Sequence, residues 1–190
     1  MINPAEVKNY NRTQFELEEF LLFGINVAGK KSSIEAPKLE RFLRGARQLE
    51  VTPFEWIRLL IKDGSLLDSL NANRISPYRM RYNSYIDVVK LGDLSKVTLD
   101  ELEEQVRGVG LKTARFFLSN TRADFDEPML DTHIMSWFRD QGHTDAPEST
   151  PQNEKVYAFW ANIFKKYAKQ LGQSVRELDI QIWKEYSNTV

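Results

Sequence analysis

Lys112 follows a glycine hairpin, Gly108-Val109-Gly110-Leu111-Lys112-Thr113-Ala114, and 19 positions later Asp131 stands in Leu130-Asp131-Thr132-His133. Each residue type brings its own chemistry. A lysine amine attacks electrophilic carbon only when deprotonated. Because a free amine has a pKa near about 10.4, burial or the neighbouring cations Arg107 and Arg115 would have to lower it by about 3 units, a cost of roughly 4 kcal/mol. A carboxylate facing a developing cation must instead stay ionised, which a helix N-terminus favours. A Gly-x-Gly turn exposes backbone N–H groups that no helix uses, and these suit one phosphate of a nucleic-acid backbone. Glycine also permits a left-handed backbone and close approach of the phosphate. Taken alone, the turn fits a plain helical hairpin equally well, Asp131 a simple helix cap, and Lys112 a phosphate contact.

These residues need elements to hold them, and the pattern predicts only helices. From Thr13, a candidate cap, Phe15, Phe20, Leu21, Leu22, Ile25 and Val27 mark a first helix that ends in the basic loop Gly29-Lys30-Lys31. A second helix is expected over 35–49, its start limited by Pro37, and Thr52-Pro53 opens a third that runs to about Lys62. A short turn follows over 65–70. Ser76-Pro77 begins a helix that Gly92 ends, with Arg74, Arg79 and Arg81 forming either a DNA-facing strip or a solvated face. Thr98 and Glu101 form a capping box for the helix cut at Gly108, which resumes over 111–120; Asp131 caps 132–141. Thr150-Pro151 signals a long helix to Leu171, and Ser174 with Glu177 a last one. About nine short helices and no strand pair make the chain all-α.

Composition narrows the function classes. With no cysteine there is no disulfide, thiolate nucleophile or cysteine-bound cluster, and two histidines without ligand spacing argue against a catalytic metal. No signal peptide is evident, and the longest apolar run, Phe20 to Ile25, is too short to span a bilayer. A protein that is cytoplasmic (nucleoid-associated) or otherwise intracellular is expected. The formal net charge of −1 means that any DNA contact must use a local basic patch.

The segment Glu101 to Gly142 resembles the helix-hairpin-helix motif and following aspartate of the endonuclease III superfamily of DNA glycosylases. The family pattern, Gly-Val/Ile-Gly-x-Lys-x-Ala followed by Val/Leu-Asp-x-His, is met by Gly108 to Ala114 and by Leu130 to His133. The resemblance implies two helical lobes with the active site in the cleft between them. Residues 13–122 would form the barrel lobe with the hairpin and 123–190 the C-terminal lobe, with 1–12 packed on the latter. It further implies that Lys112 is the nucleophile toward the sugar C1′, forming a Schiff base that undergoes β-elimination, and that Asp131 stabilises the oxocarbenium-like sugar and assists proton transfer. The partner would be damaged double-stranded DNA, bound by a monomer without any membrane. The hairpin carbonyls would be a place for a monovalent cation, as in the family.

Two departures sharpen the comparison. Arg107 stands where relatives often carry proline, and the four C-terminal cysteines of the iron–sulfur branch are missing. The spacing of 19 positions between Lys112 and Asp131, and the stretch Glu177-Leu-Asp-Ile-Gln-Ile-Trp183, resemble the cluster-free 8-oxoguanine DNA glycosylase/AP lyase branch instead. The leading expectation is therefore removal of 8-oxoguanine with strand cleavage. The alternatives are the same chemistry on an oxidised pyrimidine or alkylated purine, or a non-catalytic module that only holds DNA. Gly108, Gly110, Arg107 and Arg115 are the expected backbone contacts, and Asn26 or Lys30 occupies the place where relatives fill the gap left by a flipped base. Phe116, Trp183 and Tyr186 are the aromatic candidates for the base pocket, although aromatics at helical spacing also suit a core. His133 reads as structural.

Overall fold

The computed structural model describes residue 2 and residues 7–187, and every regular element among them is a helix. None is long and apolar enough to cross a membrane. The chain divides after Thr121 into two compact units. The first contains α1 (Gln14–Val27), α2 (Ser32–Phe42), α3 (Arg44–Gln48), α4 (Pro53–Lys62), α5 (Leu66–Ala72), α6 (Tyr78–Val88), α7 (Leu99–Gln105) and α8 (Leu111–Thr121). The second contains α9 (Thr132–Asp140), α10 (Glu154–Gln170) and α11 (Val175–Ser187).

Helix α1 is the axis of the first unit. Every residue from Leu17 to Asn26 is buried, so the helix has no solvent face, as a helix surrounded by neighbours must. It packs against α2, α4, α6 and α8. Phe20 lies 5.3 Å from Phe116 and 6.1 Å from Phe117, centroid to centroid, and this contact seats α8. Burial on all sides also traps polar side chains, and each finds a use. The Glu18 carboxylate accepts the Phe54 N–H at 2.8 Å, satisfying an amide that α4 cannot satisfy at its own start. Glu19 pairs with Arg47 at 2.9 Å.

The second unit is built on aromatic rings. Trp137 and Phe138 of α9 meet Phe164, Tyr167 and Trp160 of α10, while His143 joins Tyr167 through a 3.0 Å hydrogen bond. Tyr157 of α10 donates its hydroxyl hydrogen to the Pro128 carbonyl and accepts from the Leu130 N–H, at 2.8 and 2.9 Å. That bridge holds the segment leading into Asp131.

Local signals located most helix starts. The capping boxes at Thr98 and Ser174 form as expected, and Thr13 and Thr52 each gain a glutamate partner as well. Other boundaries differ. The helix expected over 35–49 is two, α2 and α3, and α2 starts at Ser32 with Pro37 inside it. α10 starts at Glu154 rather than after Thr150-Pro151, because the Asn153 side chain takes the Lys155 and Val156 amides and so becomes the cap. α6 ends at Val88, short of Gly92. Residues 1–12, expected against the C-terminal lobe, lie partly outside the described residues; of those described, the Asn9 N–H and the Arg12 guanidinium both donate to the Asn120 carbonyl.

A close approach fixes Gly45. A Cβ there would sit 2.5 Å from Cζ2 of Trp56, whose indole N–H donates to the Phe42 carbonyl at 3.1 Å. In Gly45→Ala the better helix propensity gains about 1 kcal/mol, whereas displacing the ring costs about 1–3 kcal/mol and the lost bond about 1 more. Net destabilisation is expected, read as a lower melting temperature.

Candidate nucleic-acid interface and catalytic residues

The hairpin lies between α7 and α8. α7 ends at Gln105 and α8 starts at Leu111, and residues 106–110 form the turn between them. Two bonds close the turn locally, Val109 N–H to the Val106 carbonyl and Ala114 N–H to the Gly110 carbonyl, both at 3.1 Å. The others come from α6. Ser84 Oγ donates to the Arg107 carbonyl at 2.5 Å, and Asp87 Oδ2 accepts the Arg107 backbone N–H at 3.3 Å. The same carboxylate takes the guanidinium in a fork, Nε at 2.5 Å and Nη2 at 2.9 Å, and also accepts Lys90 Nζ at 2.9 Å. Asp87 is only 5% exposed. The Arg107 guanidinium, more than any other group, holds its carboxyl well below the usual carboxylate range, with Lys90 and the Arg107 amide adding to this against the effect of burial.

The two glycines do different work. Gly108 has φ +82°, and a Cβ there would lie 3.2 Å from Ser84 Oγ and 3.6 Å from Met80 Cγ, so both backbone and packing require glycine. Gly110 meets neither requirement; a Cβ there would point into open space. Lys112 sits in the first turn of α8 with its side chain exposed. Arg115, one turn further on, pairs with Glu103 at 2.6 Å and donates to the Leu111 carbonyl at 3.0 Å, tying α8 back to α7. Both arginines expected as phosphate contacts are therefore committed to carboxylates, Arg107 to Asp87 of α6 and Arg115 to Glu103 of α7.

Asp131 caps α9 as its sequence context implies. Its Oδ1 accepts the His133 and Ile134 amides at 2.9 and 3.0 Å, which fixes the carboxylate rotamer. Among the aromatic candidates, Phe116 is half-buried against Phe20 and Phe23 and belongs to the packing of α8 on α1. Trp183 of α11 is 48% exposed. The Tyr186 hydroxyl donates to Asp140 Oδ2 at 2.5 Å; burial, with the neighbouring carboxylate adding to it, raises its pKa to about 12.

The two residues expected in the base gap are placed otherwise. Asn26 is fully buried and exchanges hydrogen bonds with the Tyr85 hydroxyl at 3.0 and 3.2 Å, because the last turn of α1 is enclosed like the rest. The Lys30 ammonium turns back to donate to the Ser76 carbonyl and lies 3.6 Å from Glu35; burial lowers its pKa, with Glu35 opposing. The arginine strip also splits. Arg74 and Arg79 are exposed, but Arg81 is buried and reaches the Asn26 carbonyl at 3.4 Å. Sequence reading missed Ser84 and Asp87, which carry no local signal because their partner lies on another element. Their three-residue spacing on one helix face is the only trace.

The Val106, Arg107 and Gly110 carbonyls each accept a bond from the protein, so a monovalent cation at the hairpin would have to share these oxygens. Among the described residues, no group of three or more His, Cys, Asp or Glu side chains is arranged to hold a metal ion.

A family model described as 8-oxoguanine DNA glycosylase matches residues 6–173. The chain is 30% identical over 104 residues to the 8-oxoguanine DNA glycosylase/AP lyase of Saccharolobus solfataricus, covering 55% of this chain and 50% of that one. With the protein of the same description from Thermoplasma volcanium it shares 35% identity over 91 residues, 48% of this chain and 42% of the other. The chain thus spans about half the length of the curated relatives it matches. In fold it is similar, with a TM-score of 0.71 at 20% identity, to the Methanocaldococcus jannaschii 8-oxoguanine glycosylase/lyase solved with a 15mer DNA containing 8-oxoguanine; 97% of this chain and 87% of that one are covered. The Thermotoga maritima 8-oxoguanine DNA glycosylase gives 0.67 at 22% identity, over 96% and 86%. At such identities the structural likeness speaks for the fold alone.

The Asp87 pairing has a measurable signature. A carboxyl whose folded pKa is depressed contributes stability above the unfolded value of about 3.9, and that contribution is lost as pH falls through the folded value. Asp87→Asn should therefore be less stable than the parent protein at about pH 7, with the gap narrowing below about pH 4, as read from urea midpoints across that range.

Proposed function

The chain belongs to the 8-oxoguanine DNA glycosylase family and has its all-helical helix-hairpin-helix fold, and from that premise we propose that it is a bifunctional DNA glycosylase and AP lyase acting on 8-oxoguanine in duplex DNA. The observation that carries the reading is Lys112, exposed in the first turn of the helix that leaves the hairpin. Taken alone this amine would also suit a phosphate contact, but with the Asp131 carboxylate fixed by two helix amides the chain carries both groups that the lyase reaction needs.

In the proposed reaction the Lys112 amine, once it has given up its proton, forms a bond to C1′ as the bond from C1′ to the base breaks. The base leaves with the electron pair and takes up a proton. The sugar ring then opens to an imine on Lys112; loss of a C2′ proton expels the 3′ phosphate and cuts the strand. Asp131 serves as the fixed negative charge toward the oxocarbenium-like sugar, a role that asks for a carboxylate already locked in place, as two helix amides lock this one. The exposed backbone at Gly110 is the proposed seat of a DNA phosphate, since among the described residues neither backbone angle nor packing calls for a glycine there. Among the three aromatic candidates Trp183 offers the most open ring for stacking on an extruded base.

Borohydride reduction should trap a covalent adduct between the protein and an 8-oxoguanine duplex, and Lys112→Gln should abolish it. An adduct formed only with oxidised pyrimidines or alkylated purines would reassign the substrate. Absence of both adduct and strand cleavage on every lesion would leave a DNA-holding module. Asp131→Asn keeps an acceptor for the α9 amides but removes the charge. Its melting temperature should change little while single-turnover base removal slows by about 100-fold or more.

A further inference from the structure

The residues that hold the hairpin turn rigid lie on α6, outside the motif. We propose that Asp87 and Ser84 are positioning residues that clamp Arg107 and thereby fix the turn's phosphate-binding face; the inference rests on the DNA-binding reading above. Arg107 is the residue immediately before Gly108, and both of its backbone groups are held by α6: its carbonyl by Ser84 Oγ at 2.5 Å, its N–H by Asp87 Oδ2 at 3.3 Å. Positions 84 and 87 share a helix face, so one rigid element grips the peptide groups on both sides of this residue. The side-chain fork from Arg107 to Asp87 adds two charge-assisted bonds to the same grip. α6 also presses on the turn sterically, through Ser84 Oγ and Met80 against Gly108.

The clamp and a simpler electrostatic role for Arg107 make opposite forecasts. Arg107 is 57% exposed at its side chain and is cationic. If its task were to attract phosphate, Asp87 would be an impediment, and neutralising that carboxylate would strengthen DNA binding. If Asp87 holds the turn in shape, neutralising it weakens binding although the protein becomes more positive. The persistent ionisation of Asp87 suits the second role, because its partners keep it charged well into acid.

The test measures fluorescence-anisotropy Kd values for a duplex carrying a tetrahydrofuran abasic-site analogue, which offers no base to remove, across a salt series. Circular dichroism first establishes that each variant is folded at the assay temperature. Asp87→Asn should bind about tenfold more weakly, with a salt slope no steeper than that of the parent protein. Tighter or unchanged binding, with the slope steepened by about 0.9 as a freed Arg107 gains a phosphate, overturns the clamp. Ser84→Ala alters no charge and carries the test if Asp87→Asn does not fold. It too should weaken binding, and parent-like affinity overturns the proposal. If the parent protein itself fails to bind the duplex, the glycosylase reading falls, and the clamp with it.

Discussion

The first unit depends on a helix that has no outside. Because α1 is enclosed on every face from Leu17 to Asn26, its buried polar side chains find partners on the elements around it. Glu18 takes the Phe54 amide in the first turn of α4, Glu19 anchors the stretch around α3 through Arg47, and Asn26 locks onto Tyr85 of α6. The apolar side of the same helix receives Phe116 and Phe117, so α8, and Lys112 with it, takes its position from α1 rather than from the hairpin alone. α6 is then braced twice, by Tyr85 toward the core and by Asp87 toward the turn.

The placement of charge follows from this arrangement. A hairpin that presents backbone amides has to be supported by groups that do not compete for the same ligand. Here the support comes from a carboxylate buried under an arginine and from a serine hydroxyl aimed at a carbonyl. The arginines nearest the turn are thus structural cations whose charge is already matched. That arrangement is compatible with a formal charge of only −1, since in the proposed reading the turn would hold a phosphate through its backbone amides and not through an accumulated positive field.

Much of the fold and part of the site were legible in the sequence, and physical range separates what was from what was not. The hairpin, Lys112, the Asp131 cap and the capping boxes at Thr98 and Ser174 are written within four or five consecutive residues. Interactions across elements left no such trace. Arg107 looked like a free cation because Asp87 stands 20 residues away on another helix. Asn26 and Lys30 stand where relatives fill the gap left by a flipped base, whereas α1 is buried to its last turn and the loop after it folds Lys30 back to Ser76. Thr150-Pro151 carried the stronger start signal by type, yet Asn153 captured the free amides.

The Tyr157 hydroxyl bears on how tightly the second unit can act. One side chain of α10 bonds the Pro128 carbonyl and the Leu130 amide, pinning the backbone just ahead of Asp131, inside a stretch that contains no helix. A segment tethered at two backbone atoms has surrendered most of its conformational freedom before any ligand arrives. The entropy lost in ordering it therefore falls on folding and not on association, and a partner that meets Asp131 encounters a surface already arranged to receive it.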